Sequence, residues 1–125
     1  MTTLTTRDIQ LLSRQLHAMK ETARDEIRLA DNDLQQARQA QSSEAHSFSD
    51  DAEGIRTEDV RLGEIEIDRT RLAAIEFAEK LIAEGRYGKC IHCGCDIARE
   101  RMLALPTAAR CAPCQNAIEK GDGPR

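Results

Sequence analysis

Tryptophan is absent from this sequence, and its aromatic side chains stop at two Phe and one Tyr, 2% of 125 residues. A globular core for a chain of this length needs more bulky apolar material than that, so a large core is excluded. Apolar runs of membrane-spanning length are missing as well, and the amino-terminal MTTLTTRDIQ has no apolar stretch that a signal peptide would need. A cytoplasmic protein with no membrane partner is the expectation. Glycine and proline are absent before Gly54, so nothing in the first third of the chain interrupts a helix.

A surplus of positive charge is also lacking. The formal net charge is −4, and the sequence pI is about 5.4. Residues 1–85 carry 18 acidic and 11 basic side chains, a net of −7, whereas residues 86–120 carry 3 and 6, a net of +3. Tight binding to DNA draws on many Lys and Arg that displace counterions from phosphates. Direct sequence-specific DNA binding is therefore not expected of this chain.

What is present is helical periodicity. Thr5 and Asp8 have the spacing of a capping box. Behind them Ile9, Leu12, Leu16, Met19, Ala23, Ile27, Ala30, Leu34 and Ala37 recur at steps of three and four residues, among Arg, Gln, Asp and Glu. Such a narrow apolar stripe on a solvated helix needs a partner to cover it. The segment Ser42–Gly54 reads as a turn, and a first helix could reach about residue 44. A second stripe follows in Ile55, Leu62, Ile65, Leu72, Ile75, Phe77, Ala78, Leu81 and Ile82, with Gly63 a weak point inside it and Gly85 its stop.

The fold class expected is mainly α: a long antiparallel coiled-coil helical hairpin, then a small zinc-finger module and a short C-terminal helix. The hairpin occupies residues 1–85, the finger 86–120 and a frayed tail 121–125. Each hairpin helix supplies the cover the other lacks, over roughly 45–50 Å at the rise of an α-helix. A parallel coiled-coil dimer built on the same stripes is the alternative; a monomer is the expectation.

The finger rests on cysteine. Cys90 and Cys93 form one C-x₂-C pair, Cys111 and Cys114 a second, and seventeen residues separate the pairs. In a reducing compartment such pairs point to metal and not to disulfides. Each pair aims two thiolates at one point, and four thiolates close a tetrahedron around one structural Zn²⁺ with no position left for water. An iron–sulfur cluster also accepts four cysteines, but the paired spacing is that of a zinc ribbon. Cys95 is left over, either a surface thiol or a spare one able to exchange with a ligand. His92, inside the first knuckle, reads as a solvated side chain. A closed site, with His17, His46 and His92 scattered, gives no catalytic constellation, so an enzyme is not expected.

Around these cysteines the sequence resembles the DksA/TraR family of bacterial RNA polymerase regulators. The matching residues are Tyr87, Gly88, Cys90, Cys93, Gly94, Ile97, Arg101, Ala104, Pro106, Thr107, Ala108, Cys111, Cys114 and Gln115. The resemblance implies a regulator that does not read DNA. Its partner would be bacterial RNA polymerase, with the coiled-coil tip entering the secondary channel and altering the stability of promoter complexes. The family's tip motif falls on Ser47, Asp50 and Ala52. Asp50 and Ala52 match, Ser47 stands where an Asp is expected, and Asp51 is an additional acid, so Asp50, Asp51 and Ala52 are the expected partner-binding residues of an acidic tip near 47–53. Asp50 and Asp51 are equally at home as turn and cap residues.

The family's site for the alarmone ppGpp falls on Ala74, Leu105 and Gln115, none able to pair with phosphate as Lys or Arg would. Little ppGpp dependence is the expectation. Two other readings remain. A polymerase-binding competitor with weak regulatory activity fits the departure at Ser47, and a zinc-finger DNA-binding protein would use Arg99, Arg101 and Arg110 as a basic patch. Transcript-cleavage factors of the Gre type use a similar arm but lack a four-cysteine finger.

Overall fold

With neither Gly nor Pro in the way, the amino-terminal stripe forms one unbroken helix, α1, over Thr6–Gln41. The capping box starts it: the Thr5 N–H donates to Asp8 Oδ2 and the Asp8 N–H to Thr5 Oγ1, both at 3.0 Å. The computed structural model describes residues 4–41 and 48–121; the side chains of residues 41 and 48–57 fall outside that description. A second helix, α2, covers Phe48–Ala83, followed by α3 over Arg99–Ala104 and α4 over Ala112–Glu119. Among the described residues the only β pairing is an isolated antiparallel bridge between Lys89 and Asp96.

Two expectations are corrected here. The turn is shorter than Ser42–Gly54, because α2 has already begun at Phe48. Leu62 and Phe77, placed on the second apolar stripe, are exposed. They flank a seam that Ile65, Ile75 and Ala78 fill, and a helix of this diameter cannot turn all of them inward.

The chain divides into two structural units, one of residues 20–73 and the other of residues 1–19 with 74–125. In the unit of residues 20–73, α1 and α2 run antiparallel. Arg38 pairs with Glu58 at 2.7 Å, Arg61 with Asp33 at 3.7 Å and Arg71 with Glu26 at 3.7 Å, so positions fall along α1 as they rise along α2. These ion pairs are exposed and add little energy. Burial of Ala30, Leu34 and Ile65 between the helices closes the seam.

The other unit holds the larger core. Leu12 and Leu16 of α1 meet Ile75, Ala78 and Leu81 of α2, together with Tyr87, Cys90, Ile97, Met102 and Ala108. The finger is thus packed onto the amino-terminal turns of α1 and the last turns of α2 through one continuous apolar cluster. The exit from α2 is shaped by Gly85, whose φ of +72° is natural only for glycine; the Arg86 N–H reaches back to the Leu81 carbonyl at 2.8 Å.

Candidate metal centre

The first knuckle begins as a narrow loop. Its edges are joined by the Ile97 N–H on the Gly88 carbonyl and the Cys90 N–H on the Cys95 carbonyl, both at 2.8 Å. The side chains of Lys89 and Asp96 are paired outside them. The loop then tightens as the Gly94 N–H donates to the Cys90 carbonyl at 3.0 Å, with Gly94 at φ +78°. A side chain at that φ would be strained, which is why the residue after Cys93 is glycine.

The second knuckle is a helix start. Cys111 caps α4, Pro113 occupies its first turn, where a missing N–H is harmless, and the Gln115 N–H bonds the Cys111 carbonyl at 2.9 Å. Between the knuckles, α3 buries Met102 completely. Three contacts bring the halves together. The Ile91 N–H donates to the Ala109 carbonyl at 2.9 Å, Arg101 Nε to the Arg110 carbonyl at 3.1 Å, and the buried Tyr87 hydroxyl to the Pro106 carbonyl at 2.7 Å.

The result is that the sulfurs of Cys90, Cys93, Cys111 and Cys114 all lie within 4.8 Å of one another. Cys93 Sγ and Cys111 Sγ are 3.7 Å apart. A tetrahedral Zn²⁺ with bonds of about 2.3 Å spaces its thiolates by about 3.8 Å, so the donor set fits this ion in both chemistry and spacing. These four residues hold one structural Zn²⁺. When bound, the ion cross-links the two knuckles and carries no open position for chemistry.

The protein prepares two of the sulfurs, those of Cys90 and Cys93, for negative charge. The backbone N–H groups of His92 and Cys93 point at Cys90 Sγ at 3.4 and 3.5 Å. Burial raises the Cys90 thiol, but the N–H groups of Cys93, Cys111 and His92 outweigh it and bring it down to about 6. The Cys95 N–H lowers the Cys93 thiol. Proximity to the Cys111 sulfur, followed by burial, raises the Cys114 thiol to about 12. A bound metal ion removes such protons outright.

Comparison with known proteins agrees with this geometry. Residues 85–120 match the family model of the prokaryotic dksA/traR C4-type zinc finger. The finger is that of the DksA/TraR family. The chain around this DksA/TraR finger is similar in fold to a solved structure. It superimposes on the structure of transcription factor DksA2 from Pseudomonas aeruginosa with a TM-score of 0.80, over 94% of this chain and 87% of that one, at 21% identity. An uncharacterized protein of Aquifex aeolicus (strain VF5) is 28% identical over 95 residues, 76% of this chain; the match spans 66% of that relative's length.

His92 and Cys95 are both exposed. Cys95 is outside the four-sulfur cluster but beside it, and its thiol is raised by the neighbouring Cys93 sulfur. Asp50, Asp51 and Ala52 belong to the first turns of α2, with side chains outside the described residues, and Ser47 is itself outside them.

Two of the three arginines named as a basic patch are engaged within the protein. Arg99 grips Asp8, and Arg101 is bonded to the Arg110 carbonyl. Sequence reasoning missed that Asp8–Arg99 contact, which joins positions 91 residues apart with no local pattern to mark them.

No helix among the described residues is long and apolar enough to cross a membrane.

Proposed function

We propose that the chain is a cytoplasmic, non-enzymatic transcription regulator that acts by binding bacterial RNA polymerase. The observation that carries this is the combination of a DksA/TraR finger with the fold of a transcription factor over nearly the whole chain. In this reading the arm of residues 1–85 enters the secondary channel as a monomer. Its tip, near 47–53, presents Asp50, Asp51 and Ala52 to the active centre and changes the lifetime of promoter complexes.

Two further features support a protein that works without DNA contacts or ppGpp. The finger arginine Arg99 is neutralised by Asp8 and Arg101 is turned onto the Arg110 carbonyl, which leaves less free positive charge for phosphates. At the positions of the family's ppGpp site, Ala74 and Leu105 are apolar, and the Gln115 amide donates to Glu119 at 3.0 Å.

The test is titration of the zinc-loaded protein onto bacterial core RNA polymerase with a Gre factor as competitor. It is paired with an Asp50→Asn, Asp51→Asn variant at a ribosomal promoter. Competitive binding by both proteins, with the promoter effect lost only in the variant, is the expected result. Binding without any promoter effect from the wild type identifies a competitor protein and points to Ser47. Absence of binding overturns the proposal.

A further inference from the structure

The unit of residues 20–73 has an open groove along its helix seam, distinct from both the finger and the tip. The groove is about 390 Å³ in volume. Its floor is the small side chain of Ala30, buried between the helices, and its two lips are Leu29 of α1 and Ile67 of α2. Leu29 is 63% exposed and Ile67 61%, unusual for large aliphatic side chains on facing lips of one depression. Val60, one heptad before Ile67 and 55% exposed, continues the α2 lip along the same helix face.

Around this apolar strip negative charge predominates. Glu26, Asp33, Glu64 and Asp68 line the groove. Arg61, the basic residue among its lining, is divided between Asp33 at 3.7 Å and Glu64 at 3.0 Å. Arg71 is divided between Glu26 at 3.7 Å and Asp68 at 3.6 Å. Four carboxylates therefore share two guanidiniums, leaving a negative rim. The unit as a whole has the same bias, with 14 acidic and 8 basic side chains over residues 20–73.

We propose that this groove is a docking site for a basic amphipathic helix of another protein, lying along the α1–α2 seam as a third helix. Apolar residues of the incoming helix at i, i+3/i+4 and i+7 cover Leu29, Ile67 and Val60, as an amphipathic helix does in a hydrophobic groove. Its Lys or Arg residues meet the carboxylate rim and supply the positive charge the rim lacks. The groove lies on the arm that the polymerase reading places in the secondary channel, so helix docking and channel entry exclude one another on the same molecule, while the test of docking needs no polymerase.

The experiment follows amide shifts of the ¹⁵N-labelled, zinc-loaded full chain on titration with a designed helical Leu/Lys peptide. Its Leu residues are spaced i, i+3, i+4 and i+7, and a Leu/Glu twin serves as the control. The expected result is saturable binding of the Leu/Lys peptide alone, with shifts concentrated at residues 26–33 and 60–68. The exposed pair Leu29→Ser, Ile67→Ser is expected to weaken it about tenfold while circular dichroism and thermal midpoint stay unchanged. Glu26→Gln with Glu64→Gln is expected to weaken it too and to flatten its salt dependence.

No binding, or shifts spread over the acidic surface and indifferent to the Leu29/Ile67 change, overturns the proposal. Sedimentation showing a dimer that Ile67→Ser dissolves assigns the groove to a second copy of the chain and overturns it equally.

Discussion

Arg99 holds Asp8 with both arms of its guanidinium, Nε to Oδ2 at 2.9 Å and Nη2 to Oδ1 at 3.0 Å. The same carboxylate accepts the Thr5 N–H, so one side chain both starts α1 and fastens it to the finger. A bidentate Arg–carboxylate pair fixes orientation in a way that a lysine does not.

This pair gives a pH prediction with a definite sign. The Arg99 guanidinium, helped by the Thr5 N–H, holds the Asp8 carboxyl well below its usual range. A carboxyl lowered in the folded state stabilises above its unfolded value, about 3.9, and that stability is lost as pH falls below it. Asp8→Asn is therefore expected to lower the thermal midpoint at pH 7, and the gap from wild type should narrow as pH drops toward 3. Thermal melts of both proteins across that range check it; a constant gap refutes it.

Tyr87 works at the opposite end of the scale. Burial pushes its hydroxyl up to about 12. A group raised in the folded state stabilises below its unfolded value, about 10, and that contribution fades as pH rises through 12. Phenolate absorbance is expected to appear only near pH 12 or with unfolding. Tyr87→Phe leaves the Pro106 carbonyl without this donor and should cost about 1–2 kcal/mol in denaturant melts at neutral pH.

Metal removal should act unevenly along the chain. Cys90 belongs to the same cluster as Leu12, Leu16 and Ile75, so losing Zn²⁺ loosens the finger and the helix ends it packs on. Chelation or Cys111→Ser is expected to release one zinc per chain, with hydrogen-exchange protection lost over residues 85–120 and retained by the α1–α2 seam of residues 20–40. Uniform loss of protection would contradict this.

Two substitutions test packing with opposite signs. Met102 is completely buried in α3, and Met102→Ala is expected to cost about 2–4 kcal/mol. Gly63 lies within α2 and a methyl group there meets nothing within 4 Å, so Gly63→Ala should stabilise by about 0.5–1 kcal/mol. Urea unfolding of the zinc-loaded protein measures both.

Legibility in the sequence followed the range of the interaction. The capping box at Thr5 and Asp8 and the four ligand cysteines are set by spacings of a few residues, and both are found where the spacing put them. The start of α2 was hidden because Ser, Asp and Glu suit a first helical turn as well as a loop. Leu62 and Phe77 misled because α2 carries more apolar residues than one stripe holds. Arg99 was read as free charge since its partner is 91 residues away, where only the fold can deliver it.

That separation also orders events at the ribosome. The unit containing Leu12 and Met102 is discontinuous, built from both ends of the described chain, whereas residues 20–73 form a contiguous stretch. At a synthesis rate of about 5–20 residues per second, Asp8 waits roughly 5–20 s for Arg99 to be made. In the interval the α1–α2 seam can already close. The amino-terminal turns, with Leu12 and Leu16 uncovered, stay exposed to chaperones until the finger residues have been made and zinc is captured.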